Sequence, residues 1–254
     1  MGIRKSTAAM TAAEWTNLRD AFAAAYRLRD ERGYAFYAGL HGLPLPAYCR
    51  HGSIMFLLWH RAYLYFFERS LRDRVRDVSL VWWDWRRHDI PPLFDDVTDA
   101  EGSPNPLVSA PVDPLALQQG AAARPPIVVA PDTERQPGEP PPLPTKEEVR
   151  EVLARGEFLD FSDGLEELHN RVHGWTGGHM GMIAFAAFDP IFWAHHTMVD
   201  RLWRIWQLRH PGAGPPASLL DEALPPFRMT VRQTLGVTAL GYDYAVTTTS
   251  AGAE

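Results

Sequence analysis

The stretch Asp189-Pro190-Ile191-Phe192-Trp193-Ala194-His195-His196-Thr197-Met198-Val199-Asp200-Arg201-Leu202-Trp203 starts a helix and buries it. Asp is a good N-cap and Pro suits the first helical position. The pattern runs to about Arg209 and stops before His210-Pro211-Gly212. Phe192, Val199, Trp203 and Trp206 share a stripe with His196, so that imidazole points into the core. A charged or unpaired ring there is costly, and a ligand role removes the cost because metals bind the neutral ring. His195 lies about 100° round the helix, on an equally apolar stripe of Ile191, Met198 and Leu202. Periodicity alone does not choose between the two.

Upstream, a helix over about Asp163 to His173 carries His169 and His173 at i, i+4, where both face the same way and can share one metal. Two histidines so spaced can equally be a packed pair. Thr145 to Arg155 reads as a short helix. Residues 102–145 hold more than half of the chain's 22 prolines, Pro104, Pro106, Pro125, Pro126 and Pro140-Pro141-Pro142 among them. Proline removes an amide donor, so the segment reads as a long surface excursion rather than helix interior or central strand. Ser53 to Val75 is a strongly apolar helix that contains His60. Val81-Trp82-Trp83-Asp84-Trp85 is a short buried stretch. His51 reaches in from the loop before Ser53, and His41 lies in a turn-rich segment near Pro44-Leu45-Pro46. Thr11 to Arg32 has helical periodicity, with Thr11 and Glu14 placed as a capping box and Gly33 ending the run.

These elements predict a mainly α fold with few short strands. The N-terminal and His60 helices before the proline-rich segment, and two helices after it, make a four-helix bundle the simple solution. Bundles hold dinuclear metals between facing helices. The chain has 254 residues, which suggests one domain over 1–254. Net charge is −6 with no Lys/Arg block, which argues against nucleic acid as partner. The lone cysteine, Cys49, excludes a disulfide framework. The N-terminus lacks a signal-peptide h-region and no apolar run is long enough to span a membrane, so a cytoplasmic location is expected, with export on a partner's signal compatible.

Seven of the ten histidines fall in three groups: His41/His51/His60, His169/His173 and His195/His196. Two triads of neutral nitrogen donors suit copper or zinc better than non-haem iron, which takes carboxylates as well. Glu166, three residues before His169, is the one near match to a di-iron Glu-x-x-His pair, and it has no second copy.

Three long motifs resemble the common central domain of tyrosinases, catechol oxidases and hemocyanins. His51-Gly-Ser-Ile-Met-Phe-Leu-Leu-Trp-His60-Arg61-Ala-Tyr63-Leu64-Tyr-Phe-Phe67-Glu68 is similar to the family's copper-A motif. Leu168-His169-Asn170-Arg171-Val172-His173-Gly174-Trp175 and the Asp189–Trp203 stretch are similar to its copper-B motif. The resemblance implies two copper ions, His41, His51 and His60 binding copper A and His169, His173 and His196 binding copper B. In the family the second histidine of the His-His pair is the ligand. Cys49-Arg50-His51 resembles the Cys-x-His of members in which a thioether joins the cysteine to the histidine. Gly241-Tyr242-Asp243-Tyr244 resembles the Tyr-x-Tyr that closes the domain and pairs with an N-terminal arginine, here Arg4. Only ten residues follow it, so the shielding domain of latent relatives is expected to be absent.

The function so implied is oxidation of a small phenol by O2, as a tyrosinase or catechol oxidase. Asn170 resembles the asparagine that orients a water in monophenol-hydroxylating members, and Glu166 is the candidate carboxylate for that general-base arrangement. Gly174, Ile183 and His195 are expected at the substrate pocket, with Ile183 over copper A. An o-aminophenol oxidase and a hemocyanin-like O2 carrier are the alternatives. A separate copper-delivery protein is compatible with the reading. His88, His179 and His210 read as structural or surface residues, with His179 the one closest to the pocket.

Overall fold

The computed structural model of the protein describes residues 1–99, 102–138 and 141–245. Its helices are α1 (Ala12–Tyr26), α2 (Tyr34–His41), α3 (Phe56–Arg72), α4 (Pro92–Asp95), α5 (Pro114–Ala122), α6 (Lys146–Leu153), α7 (Phe158–Thr176), α8 (Ile191–Arg209) and α9 (Val231–Thr234). Two short strands, β1 (Gly2–Arg4) and β2 (Tyr242–Tyr244), pair in parallel with Gly2 opposite Tyr242. No helix among the described residues is long and apolar enough to cross a membrane.

Helices α3, α7 and α8 pack on one another, and α2 closes the fourth side against the turn Ala186–Phe188. This differs from the sequence reading, which gave the fourth place to the N-terminal helix. The capping box of α1 is present: Glu14 N–H donates to Thr11 Oγ1 at 3.3 Å and Thr11 N–H to Glu14 Oε2 at 2.8 Å. But α1 stops at Tyr26, where the Arg27 amide bonds back to the Ala24 and Ala25 carbonyls. Gly33 does not end that helix; it begins α2, whose last residue is His41. Phe22 of α1 packs at 5.7 Å from Tyr34 and 5.6 Å from Phe67 (ring centroids), so α1 lies behind α2 and α3.

The proline-rich segment is more ordered than composition implies. It contains α5, with Pro114 in the first turn and Asp113 accepting from the Leu115 amide at 2.7 Å. Leu107, Ala110, Val112, Ala116 and Leu143 of the same segment are buried. Proline at a helix start costs no internal hydrogen bond, so proline content and a short helix coexist. Pro140 lies outside the described residues. Helix α8 begins at Ile191, whose amide donates to Asp189 Oδ1 at 3.1 Å; Arg135, from the proline-rich segment, donates to both oxygens of that carboxylate at 2.8–2.9 Å from Nε.

One end of the bundle is locked by buried charges. Arg4 donates to Glu68 (3.0 Å) and Asp200 (3.2 Å), and its guanidinium lies 3.6 Å from the Tyr242 ring centroid. Arg61 donates to Asp200 Oδ1 at 2.5 Å and stacks 3.5 Å over Trp203. Tyr242 donates to Asp200 Oδ2 at 2.8 Å, and Tyr244 donates to the same oxygen. Arg4 also donates to the Tyr244 hydroxyl at 3.1 Å, the arginine to Tyr-x-Tyr pairing that the sequence suggested. Burial opposes ionisation of Asp200, yet Arg61 and Arg4 hold its carboxyl below the usual range.

Candidate dinuclear metal centre

Two groups of ligand atoms meet at the middle of the bundle. His41, Cys49, His51 and His60 form one, and His169, His173, His195 and His196 the other; within each, one donor atom per residue lies within 4.8 Å of the rest. The groups adjoin: the rings of His60 and His196 stack at 4.4 Å and those of His51 and His169 lie 5.4 Å apart.

Four of the imidazoles are aimed by their neighbours. His60 Nδ1 lies 2.8 Å from the Phe56 carbonyl, one turn back on α3. His173 Nδ1 lies 2.8 Å from the Met180 carbonyl, His41 Nδ1 3.2 Å from the Ile183 carbonyl, and His169 Nδ1 3.0 Å from Asn170 Oδ1. A carbonyl can only accept, so all four Nδ1 atoms carry the proton and all four Nε2 atoms present lone pairs. Those lone pairs converge. His173 and His169 Nε2 lie 3.0 Å apart, and His169 and His196 Nε2 3.2 Å. Burial pushes His51 and His173 down to about 4 and the other five rings well below their ordinary value, so the set is neutral at neutral pH. His41 Nε2, His196 Nδ1 and both nitrogens of His195 are buried without a partner. Facing, unprotonated nitrogens cost free energy that a cation between them removes, and aimed outer partners of this kind are what metal-ligating histidines carry.

Backbone geometry makes the aim achievable. A Cβ on Gly42 would sit 2.4 Å from the Ala184 carbonyl oxygen, so only glycine lets the end of α2 abut the segment that holds His41. Gly178 has φ +54° and a Cβ there would meet the Glu134 carbonyl at 2.1 Å. That turn after α7 brings the Met180 carbonyl back over His173. His179 is satisfied at both nitrogens, accepting from the Glu134 amide (3.0 Å) and donating to the Ala130 carbonyl (3.1 Å); it ties down the loop and does not line the pocket. His210 bonds the Leu153 carbonyl at 3.0 Å, away from the site.

Above the imidazoles lies an open pocket of about 680 Å³. Glu166, Asn170, Gly174 and Ile183, singled out from the sequence, all line it together with His41, His51, His169 and His173. His195 does not: it is fully buried, stacked on His169 at 4.9 Å and lying beside Trp85. Ile183 is 63% exposed, so the wall above His41 is low. Glu166 is buried and accepts from the Gly52 amide at 2.7 Å; burial pushes its carboxyl up, against that hydrogen bond. Asp163, Glu167, Met180 and Gly181 also line the pocket and were not anticipated. Helical spacing from Asn170 was the available signal for the two carboxylates. Cys49 Sγ lies 3.3 Å from His51 Nδ1 and 3.7 Å from its Nε2, facing the ring edge between them, and 3.4 Å from His60 Nε2.

The family model for the common central domain of tyrosinase matches residues 31–209, which include all eight of these ligand-bearing residues. The chain therefore belongs to the tyrosinase family of type-3 copper proteins. It is 36% identical over 185 residues to a tyrosinase from Streptomyces glaucescens, covering 65% of this chain and 66% of the relative. It is 31% identical over 254 residues to a G-type hemocyanin (units Oda to Odg) from Enteroctopus dofleini, covering 89% of this chain and 9% of the relative. The structure of a functional unit from octopus hemocyanin superposes with a TM-score of 0.82 at 26% identity, over 97% of this chain and 68% of that one. The chain spans only 9%, 39% and 6% of the length of the first three hemocyanins it matches.

Proposed function

We propose that the protein is a dinuclear copper phenol oxidase, in which His41, His51 and His60 hold one copper and His169, His173 and His196 the other. When bound, the copper pair supplies the one-electron redox chemistry with O2 that no side chain here provides. The observation that carries the reading is the pocket. An opening of about 680 Å³ over both imidazole groups holds a buried carboxylate, Glu166, and an amide, Asn170, whose Oδ1 fixes His169. A pocket of this size takes a small aromatic molecule.

The chain's own residues then divide the work. The four carbonyl and amide acceptors hold the Nδ1–H groups and so fix the ligand nitrogens. Glu166 and Asn170, at i, i+4 on α7, share a face at the pocket. A monophenol must lose its proton before its oxygen can bind a metal, and the phenol pKa is about 10. A carboxyl raised by burial is a stronger proton acceptor than an ordinary glutamate, so Glu166 takes that proton through a water held with Asn170. Two o-diphenols each give up two protons and two electrons to become o-quinones, and together they reduce one O2 to two waters. Cys49 and His51 are joined by a thioether in the mature protein, formed when the sulfur–hydrogen and a ring carbon–hydrogen bond break, sulfur bonds that carbon, and O2 takes up the two hydrogens and two electrons as hydrogen peroxide. Mass spectrometry of the peptide bearing both residues then reads two hydrogens lighter than the sequence mass; an unshifted, alkylatable thiol contradicts the crosslink.

The reading is tested by oxygen uptake of copper-loaded protein given a monophenol, its catechol, then an o-aminophenol. Uptake with monophenol and catechol is expected. Uptake with catechol alone removes the role given to Glu166 and Asn170. Preference for the aminophenol moves the protein to aminophenol oxidation. No uptake despite bound copper favours O2 carriage, a reading supported by the hemocyanin relatives.

A further inference from the structure

One wall of the pocket is a single stripe of α7. Asp163, Glu166, Glu167, Asn170 and Gly174 follow one another at i, i+3, i+4, i+7 and i+11, the spacing of one helix face, and all five line the opening. Three of them are carboxylates at one end of the stripe, and Gly174 leaves the other end bare. Glu166 turns inward to the Gly52 amide, while Asp163 and Glu167 are exposed at the mouth. Among the described residues the lining contains no Lys or Arg. Beyond Asp163 the surface continues as a shallow depression bounded by Glu157, Asp160 and Arg155. Among the described residues Arg155 is the one cation along it, and its Nη1 is tied to the Asp160 carbonyl at 2.8 Å.

The wall belongs to a built site rather than to a solvated helix face. The same pocket is lined by His41, 1% exposed, whose Nε2 is buried with no partner. Asp163 and Glu167 line the same opening as the imidazole groups, within the pocket that a ring over those groups would occupy. Clefts lined by charge of one sign raise the local concentration of ligands of the other sign.

We infer that Asp163 and Glu167 set substrate charge preference, selecting phenols that carry an ammonium group on a short tail over those that carry a carboxylate. The inference rests on the phenol-oxidase reading for its substrates, though not for its binding geometry. Glu166 stays with the reacting ring, and the two exposed carboxylates meet the ammonium tail. Two partly solvated charge contacts are together worth about five- to tenfold in relative affinity, and salt weakens them.

The test compares kcat/KM of copper-loaded protein for tyramine, para-ethylphenol and phloretate, three phenols that differ in tail charge. The expected order is tyramine, then ethylphenol, then phloretate, with a tyramine-to-phloretate ratio of about tenfold or more at low salt. The ratio falls towards one in the double variant Asp163→Asn/Glu167→Gln and at high salt. Equal turnover of all three, or a ratio unmoved by the double variant, overturns the inference. A second measurement is independent of turnover: calorimetric binding of phenethylamine and hydrocinnamate to the metal-free protein. Tighter binding of the amine, lost in the double variant, supports the inference even if no phenol is oxidised, in which case the phenol-oxidase reading alone fails. Equal binding of the two overturns the inference whatever the enzyme does.

Discussion

Two buried polar assemblies sit in one helical core, less than the length of α8 apart, and they are built on opposite rules. Around Asp200 every charge is met: Arg4 and Arg61 are paired with Glu68 and Asp200, and Tyr242 and Tyr244 close the shell. Around His169 the nitrogens face one another at 3.0 and 3.2 Å, and four more nitrogen atoms in the two adjoining groups have no partner. A satisfied network holds the fold together by itself, whereas an unsatisfied one is a socket for something else. The same helix serves both, since α8 carries Asp200 one turn after His196.

The difference can be broken by mutation. Asp200→Ala leaves the Arg61 guanidinium buried without a carboxylate and removes one of the two that Arg4 meets, and is expected to lower stability by about 3–5 kcal/mol in denaturant unfolding. A loss under about 1 kcal/mol means that the network is not what closes the bundle. Asn170→Ala frees His169 Nδ1 and is expected to weaken metal binding about 10- to 100-fold, with Asn170→Asp, which keeps an acceptor oxygen, recovering most of it. Equal losses in both variants point to packing instead of orientation.

His196→Phe replaces an incompletely partnered buried ring by an apolar one of similar shape. It is expected to leave the metal-free protein as stable as before, or more so by about 1 kcal/mol, while abolishing one metal site. A drop like that of Asp200→Ala erases the contrast between the assemblies. His195→Phe is the companion variant, and retention of both metals there separates the two adjacent histidines.

A further effect is in pH. His51 and His173 are pushed down to about 4 in the fold, against about 6.5 in an unfolded chain. Between those values the unfolded chain takes up protons that the native one does not. Stability of the metal-free protein is therefore full above about pH 6.5 and falls as pH drops towards 4. Thermal unfolding across that range checks it; midpoints that rise on acidification contradict the neutral-ring assignment.

How much of this was legible in sequence differs along the chain. Helices α7 and α8 each run 19 residues, long enough for period and caps to show, and their histidines were placed by spacing. Helix α2 is 8 residues long, shorter than any window in which 3.6-residue periodicity stands out, so His41 read as lying in a turn. Its place depends on Gly42 passing close to Ala184, a contact between distant segments. The proline count likewise hid α5 and the Arg135–Asp189 pair, which spans 54 residues. The pocket stripe was half legible: Glu166 and Asn170 came from the family motif, and Asp163 and Glu167 are their helical neighbours.

The claim on which everything else depends is that the unsatisfied imidazoles are two metal sites. Titrating metal-free protein with copper, removing the excess and counting the metal retained per chain tests it most directly. The account predicts two coppers in the unaltered protein and one in each of His60→Ala and His173→Ala; an unaltered chain that retains one copper or none contradicts it.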